Sequence, residues 1–369
     1  MKIYPKAIFT PLLLLSLGWH STLADGPFVE VPLSDPHIFI QGAKFTRIEE
    51  DGIHFNRFDD SILQSTSLLA KVDPKRARTT SGVVLSFLTH SKQLRLSFKY
   101  IDGEENRGSQ FGLYVNGAFT GESKVSGKEP SAVIELVAPA AVDGQIRYDV
   151  ALPSWSNPVL TQVEIEEGNA LEAGDVVPHQ TVVFLGDSIT HGTGQGSASY
   201  RNYPFIASRK LNVQGFNLAV GGGRISPPVA ALLQHFEPVE VIWILVGYNN
   251  WQGRSQEIAT ITAEYEELLD TIRRYQPQAE ILCCTLTYTR NTRDQESGVT
   301  AAAVREAVSS LVRSRIDAGD GRMFLIDGAS ISSEENLPMT NDPVHFSEEG
   351  AALIAEEVCR IIRPHLTMQ

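Results

Sequence analysis

The chain has 369 residues, a formal net charge of −13, 42% hydrophobic residues and 20% charged ones. That length can bury one large core or two ordinary ones without disulfide staples. So acidic a surface argues against nucleic acid and anionic membranes as partners, and it favours an electrically neutral substrate unless a local patch overrides it.

Lys2 and Lys6 precede the apolar run from Ile8 to Leu15, and Thr22-Leu23-Ala24 follows. This is the pattern of a secretory signal peptide (residues 1–24) and predicts a secreted or periplasmic destination. The run is short for a membrane span and contains Pro11.

Residues 25–170 read as an all-β region. Leu94, Leu96, Phe98 and Tyr100 alternate with polar residues, as in a strand buried on one face. Phe111, Leu113 and Val115 alternate again before the turn signal Asn116-Gly117. Further strands are expected at 38–48, 52–58, 82–90, 132–138, 145–152 and 158–166. The regular turn residues between them predict an antiparallel β-sandwich or jelly roll.

Gly168, Asn169, Gly174 and Pro178 mark a change of composition. From 171 to 369 strand-like and helical patterns alternate. Strands are expected at 181–186, 214–219, 239–246, 279–286 and 322–327. Helices are expected at 201–211, 226–236, 255–275, 299–317 and 347–364. This predicts an α/β layer: a five-stranded parallel sheet with helices on both faces, in flavodoxin-like order.

Cys283, Cys284 and Cys359 do not make a disulfide framework and are expected to be buried thiols. Gly192, Gly194 and Gly196 lack the G-x-G-x-x-G spacing of a dinucleotide turn. There is no Walker sequence, no H-E-x-x-H and no paired C-x-x-C, so neither a metal nor a cofactor is implied.

The first strand of the α/β layer, Thr181-Val182-Val183-Phe184-Leu185, runs into Gly186-Asp187-Ser188. Ser188 therefore stands at the carboxyl end of a sheet, where open α/β folds bind ligands. Far downstream lies Asp342-Pro343-Val344-His345. A serine needs a base to become a nucleophile, and the base needs a partner that holds its tautomer. Asp187 is expected to shape the turn. His191, the rival base, is expected to point away from the hydroxyl.

These segments resemble the SGNH (GDSL-type) hydrolase superfamily of esterases and lipases. Its blocks are matched in order by Gly186-Asp187-Ser188-Ile189-Thr190, Asn217-Leu218-Ala219-Val220-Gly221-Gly222, Gly247-Tyr248-Asn249-Asn250 and Asp342-Pro343-Val344-His345. One departure is Asn250, where the family usually has Asp. The resemblance implies Ser188 as nucleophile, His345 as base and Asp342 as the residue that orients it. It also implies an oxyanion hole from the Ser188 amide, the Gly222 amide and the Asn249 side chain. Tyr248, Trp251 and Trp155 are candidates for sugar stacking, with Trp251 expected at the mouth of the site. The order of a β-sandwich before an SGNH domain is similar to that of acetylxylan-esterase-like carbohydrate esterases. The expected substrate is thus an acetylated polysaccharide or oligosaccharide. A lipase or lysophospholipase of the same superfamily, or a carbohydrate-binding module with a vestigial hydrolase domain, are the alternatives. Oligomeric state is open.

Overall fold

The structure is a computed structural model and describes residues 26–100, 107–126, 129–334 and 342–367. The expected signal peptide lies outside these residues. No helix among the described residues is long and apolar enough to cross a membrane.

The amino-terminal layer is two antiparallel sheets packed face to face. One runs in the order Arg47–Glu49, Gly52–His54, Val159–Glu166, Gln93–Lys99, Ser131–Val137, and Phe28–Val31 also pairs with Val159–Glu166. The other runs Phe39–Gln41, Val84–Thr89, Ile146–Ala151, Ser109–Val115, Ala118–Val125. The period-two pattern decides which side chains turn inward. Leu94, Leu96 and Phe98 from the first sheet meet Leu85, Phe87, Phe111 and Tyr148 from the second in one core. Ala118–Val125 was not anticipated because its side chains are exposed or half-buried, so it lacks apolar alternation.

The carboxy-terminal layer is a parallel sheet in the order Gln214–Asn217, Thr181–Gly186, Val241–Leu245, Glu280–Cys284, Met323–Ile326. This is the flavodoxin-like order, with the first strand second from one edge. Both faces of the sheet are covered. Val183, Leu185, Ile242 and Ile244 pack on one side against the helix Ile258–Tyr275. On the other, Val182, Phe184 and Trp243 pack against Tyr203–Leu211 and Glu348–Ile362. All three cysteines are buried in this layer, and burial pushes their thiols up, Cys283 to about 12.

A division of the chain near residue 170 is proposed from the last sandwich strand, which ends at Glu166, and the first parallel strand, which begins at Thr181. In space the layers interpenetrate. Phe58, Ile62, Leu63, Ala70, Val72 and Ala77 lie in the amino-terminal segment, yet they share a core with Val183, Leu185 and Ile242. Two short helices order that segment. Asp59 accepts the Ser61 amide at 3.0 Å to cap Asp60–Leu63. Asp73 accepts the Lys75 amide at 2.9 Å to cap Pro74–Ala77.

Candidate active site

The turn after Thr181–Gly186 is made by three constraints. A Cβ on Gly186 would lie 2.3 Å from Thr190 Oγ1 and 2.9 Å from the Leu245 carbonyl, so the chain can pass there only without a side chain. Asp187 then caps the single helical turn Ser188–His191, accepting the Ile189 amide at 3.1 Å. Gly192, at φ +112°, ends that turn in the left-handed region. Ser188 is thereby presented half-buried at the carboxyl edge of the sheet, on the first residue of a helix.

Asp187 is nearly sealed from water, and burial drives its carboxyl up to about 7 despite amide hydrogen bonds from Ile189 and Tyr248. It ties the nucleophile turn to the start of Tyr248–Trp251.

His345 arrives from a position 157 residues away, and its Nε2 lies 2.8 Å from Ser188 Oγ. Its Nδ1 lies 2.7 Å from Asp342 Oδ2. The other oxygen of Asp342 accepts the amides of Val344 at 2.8 Å and His345 at 3.0 Å, which locks the loop around the carboxylate. Burial raises the Asp342 carboxyl, but the His345 amide, the His345 ring and the Val344 amide outweigh it and hold it below the usual range. An ionised Asp342 can only accept. Nδ1 of His345 must then carry the proton, and Nε2 is left to receive the Ser188 hydroxyl proton.

The three-glycine loop 221–223 faces the nucleophile turn. Gly221 donates its amide to His191 Nδ1 at 2.7 Å, and Gly223 donates to the Val220 carbonyl at 2.8 Å. Gly222, at φ +77°, is the one whose N–H is not engaged among the described residues. Asn249 Nδ2 donates to the Gly223 carbonyl at 2.9 Å, and its second N–H is left over. Gly222 and Asn249 share the wall of one cavity of about 310 Å³.

Asn250 has another task. Its Oδ1 accepts the Ile225 amide at 2.9 Å, and its Nδ2 donates to Gln256 Oε1 at 2.8 Å and Glu264 Oε2 at 2.6 Å. An aspartate here would set a second carboxylate against Glu264, so the amide suits this neighbour.

The structure corrects two expectations. Trp251 is fully buried and donates its indole N–H to the Val299 carbonyl, so it does not line the mouth. Trp155 is also buried, stacked on the His191 ring at 4.4 Å with Arg107 over it at 3.9 Å. Neither has a face to offer a sugar. The apolar neighbourhood of the α/β core claimed Trp251, whose position right after the Asn249 turn suggested exposure. Tyr248 stays half-buried, edge-on to Trp251, with its hydroxyl held by Asn291.

Sequence reasoning did not anticipate Arg57. It is fully buried and donates to the carbonyls of Thr79 at 2.6 Å, Asn217 at 2.5 Å and Ala219 at 2.9 Å. Nothing in a lone arginine between Asn56 and Phe58 signals this, because two of its three carbonyl partners lie 160 and 162 residues away.

Residues 184–353 match the family model of the GDSL-like lipase/acylhydrolase family. No curated protein sequence matches the chain. Among solved structures, a salicylyl-acyltransferase, SsfX3, from a tetracycline biosynthetic pathway is similar at 21% identity and TM-score 0.78, covering 91% of this chain and 96% of that one. A family two carbohydrate esterase from Clostridium thermocellum in complex with cellohexaose is similar at 16% identity and TM-score 0.66, covering 88% and 98%. An acetyl xylan esterase, Est2A, from the rumen bacterium Butyrivibrio proteoclasticus is similar at 12% identity and TM-score 0.62, covering 92% and 98%. These likenesses concern the fold and extend over both layers. The blocks that hold Ser188, Gly222, Asn249, Asp342 and His345 all fall inside the matched segment. The chain therefore carries, over residues 184–353, a domain of the GDSL-like lipase/acylhydrolase family.

Proposed function

We propose that this chain is an exported serine esterase that removes O-acetyl groups from a polysaccharide through an acetyl-enzyme on Ser188. The carrying observation is the hydrogen-bonded line from Ser188 through His345 to Asp342, at 2.8 and 2.7 Å.

In this reading Ser188 Oγ attacks the ester carbonyl while its proton passes to His345 Nε2. Asp342 keeps its charge and steadies the imidazolium. The tetrahedral oxyanion lies against the amides of Ser188 and Gly222 and the Asn249 side chain. One such donor is worth roughly 3–4 kcal/mol of barrier. The C–O bond to the sugar then breaks, His345 returns the proton to the departing alcohol, and the acetyl stays on Ser188. A water molecule repeats the sequence and releases acetate.

The ester chemistry is supported by the family match, and the carbohydrate class by two structures of the same fold, a carbohydrate esterase in complex with cellohexaose and an acetyl xylan esterase. A short acyl group is favoured over the long chain of a lipase by the cavity beside Gly222 and Asn249, which is lined by Lys71, Arg76, Arg224 and Arg254. A vestigial hydrolase has no need of so complete a hydrogen-bonded line.

The test is acetate release from a panel of acetylated polysaccharides, with Ser188→Ala and His345→Ala as blanks. Release by the native protein and none by either variant supports the reading. A Ser188→Ala protein that cleaves 4-nitrophenyl acetate at the native rate refutes it, and a strong preference for octanoyl over acetyl esters favours a lipase.

A further inference from the structure

The chain carries net charge −13, yet the cavity that meets Gly222 and Asn249 has four basic side chains and one carboxylate among its walls. The carboxylate is Asp73, which caps its own helix at the Lys75 amide and lies 4.0 Å from Arg76 Nε.

The basic groups differ in what they are given. Lys71 is paired with Glu264 at 2.9 Å, and that carboxylate also receives Asn250. Arg76 donates Nη1 to the Gly221 carbonyl at 3.0 Å, and a Cβ on Gly222 would meet this same nitrogen at 3.1 Å. Its guanidinium therefore stands immediately beside the candidate oxyanion site. Arg224 is only 8% exposed and donates Nη2 to the Ser67 carbonyl at 3.0 Å. Burial and the neighbouring charge of Arg254 pull it below its ordinary value, against the smaller opposing charge of Glu264, which is already paired with Lys71. No carboxylate among the described residues lies within ion-pair distance of Arg224 or Arg254. A largely buried guanidinium held by one carbonyl, turned to a cavity and crowded by a second cation, is an arrangement that an incoming anion would relieve. The site is roomy enough to admit one.

We infer that this pocket binds a carboxylate carried by the ester substrate itself, so that the preferred substrate is an acidic ester and not a neutral one. This rests on the esterase reading above and sharpens its substrate class. Arginine forks suit a planar carboxylate, and one set beside the oxyanion donors would fix the scissile carbonyl over Ser188. The carboxylate has two sources with the same chemistry: a uronic acid residue on the alcohol side, or a dicarboxylic acyl group.

The experiment compares kcat/KM within two pairs: methyl O-acetyl-glucuronoside against methyl O-acetyl-glucoside, and 4-nitrophenyl hemisuccinate against 4-nitrophenyl butyrate. The charged member of one pair should be preferred about tenfold or more, the discrimination of a charge-assisted hydrogen bond. The first pair responding places the carboxylate on the sugar, and the second places it on the acyl group. Arg254→Glu, at an exposed position, should bring that ratio to one or below, and Arg224→Gln should lower it. Equal rates within both pairs, or a preference unchanged in Arg254→Glu, overturns the inference while leaving a Ser188-dependent esterase intact. If no ester is cleaved, the esterase reading falls. The pocket is then judged by calorimetric binding of methyl glucuronoside and methyl glucoside to the Ser188→Ala protein. Tighter glucuronoside binding supports it and equal binding overturns it.

Discussion

His191 Nδ1 accepts the Gly221 amide at 2.7 Å, and this bond fixes the protonation of the ring. Nδ1 is an acceptor, so Nε2 bears the hydrogen, and it lies 2.7 Å from the Ser154 carbonyl. Burial first, and the charge of Arg57 next, push the ring pKa well down, so His191 is neutral. The residue three places after Ser188 is thus no rival base. It is a strut between the sandwich, through Ser154 and Trp155, and the loop that presents Gly222.

Replacing His191 by Ala should release the Gly221 amide and leave a hole under Trp155. We expect a stability loss of roughly 2–4 kcal/mol, since a buried hydrogen-bonded ring is deleted. Turnover of 4-nitrophenyl acetate should fall through kcat more than through KM, because the displaced donor acts in the transition state. Urea unfolding and steady-state kinetics check this, and an unchanged kcat in a folded variant would show that the strut does not position the loop.

Gly222→Ala tests the candidate oxyanion donor. The new methyl would sit at a left-handed φ of +77° and 3.1 Å from Arg76 Nη1. A fall in kcat of about 10²-fold is expected from a misplaced donor, with about 1 kcal/mol of strain. Asn249→Ala should lower kcat by a comparable factor. If both variants keep native kcat, the oxyanion assignment fails.

Asp187 should shape the pH dependence of stability. Its carboxyl is raised from 3.8 to about 7 in the folded protein. The unfolded chain therefore releases this proton first, and stability declines as pH rises between those values, by a few kcal/mol at order of magnitude. Asp187→Asn keeps an oxygen for the Ile189 amide and should flatten this decline. Asp342 has the opposite sign: its folded carboxyl is lowered, so its contribution is present above the ordinary carboxylate range and disappears in stronger acid. Denaturant titrations at a series of pH values separate the two. A native profile no steeper than that of Asp187→Asn would count against the buried acid.

The sandwich should be inseparable from the α/β layer. A fragment starting at 171 loses Phe58, Ile62 and Val72 from its core and Arg57 from the Asn217 and Ala219 carbonyls. It is expected to be insoluble or inactive. Arg57→Met in the full chain should cost about 3 kcal/mol or more, by leaving buried carbonyls without donors. A soluble fragment 171–369 with native turnover would refute the dependence.

Much was legible along the chain. Leu94, Leu96 and Phe98 alternate because a strand alternates its faces, and the buried run Val182–Leu185 marks a strand covered on both sides. Gly186 and Gly192 sit where a side chain cannot go. The positions of Ser188 and His345 could be named from the blocks around them. Their separation of 2.8 Å could not, since it depends on how helices carry the chain back to one sheet edge.

Periodicity and turn chemistry are local, so the order of the elements and the inward faces were determined by the sequence alone. Long-range partners are chosen by the packing of the whole. Only the tertiary structure turned Trp251 inward, gave His191 its amide, and set Arg57 under the Asn217 loop. It also gathered Arg76, Arg224 and Arg254, from segments far apart in the chain, into one cationic pocket on an acidic protein. The physical reason is that burial and charge act through space, and adjacency in sequence carries no record of them.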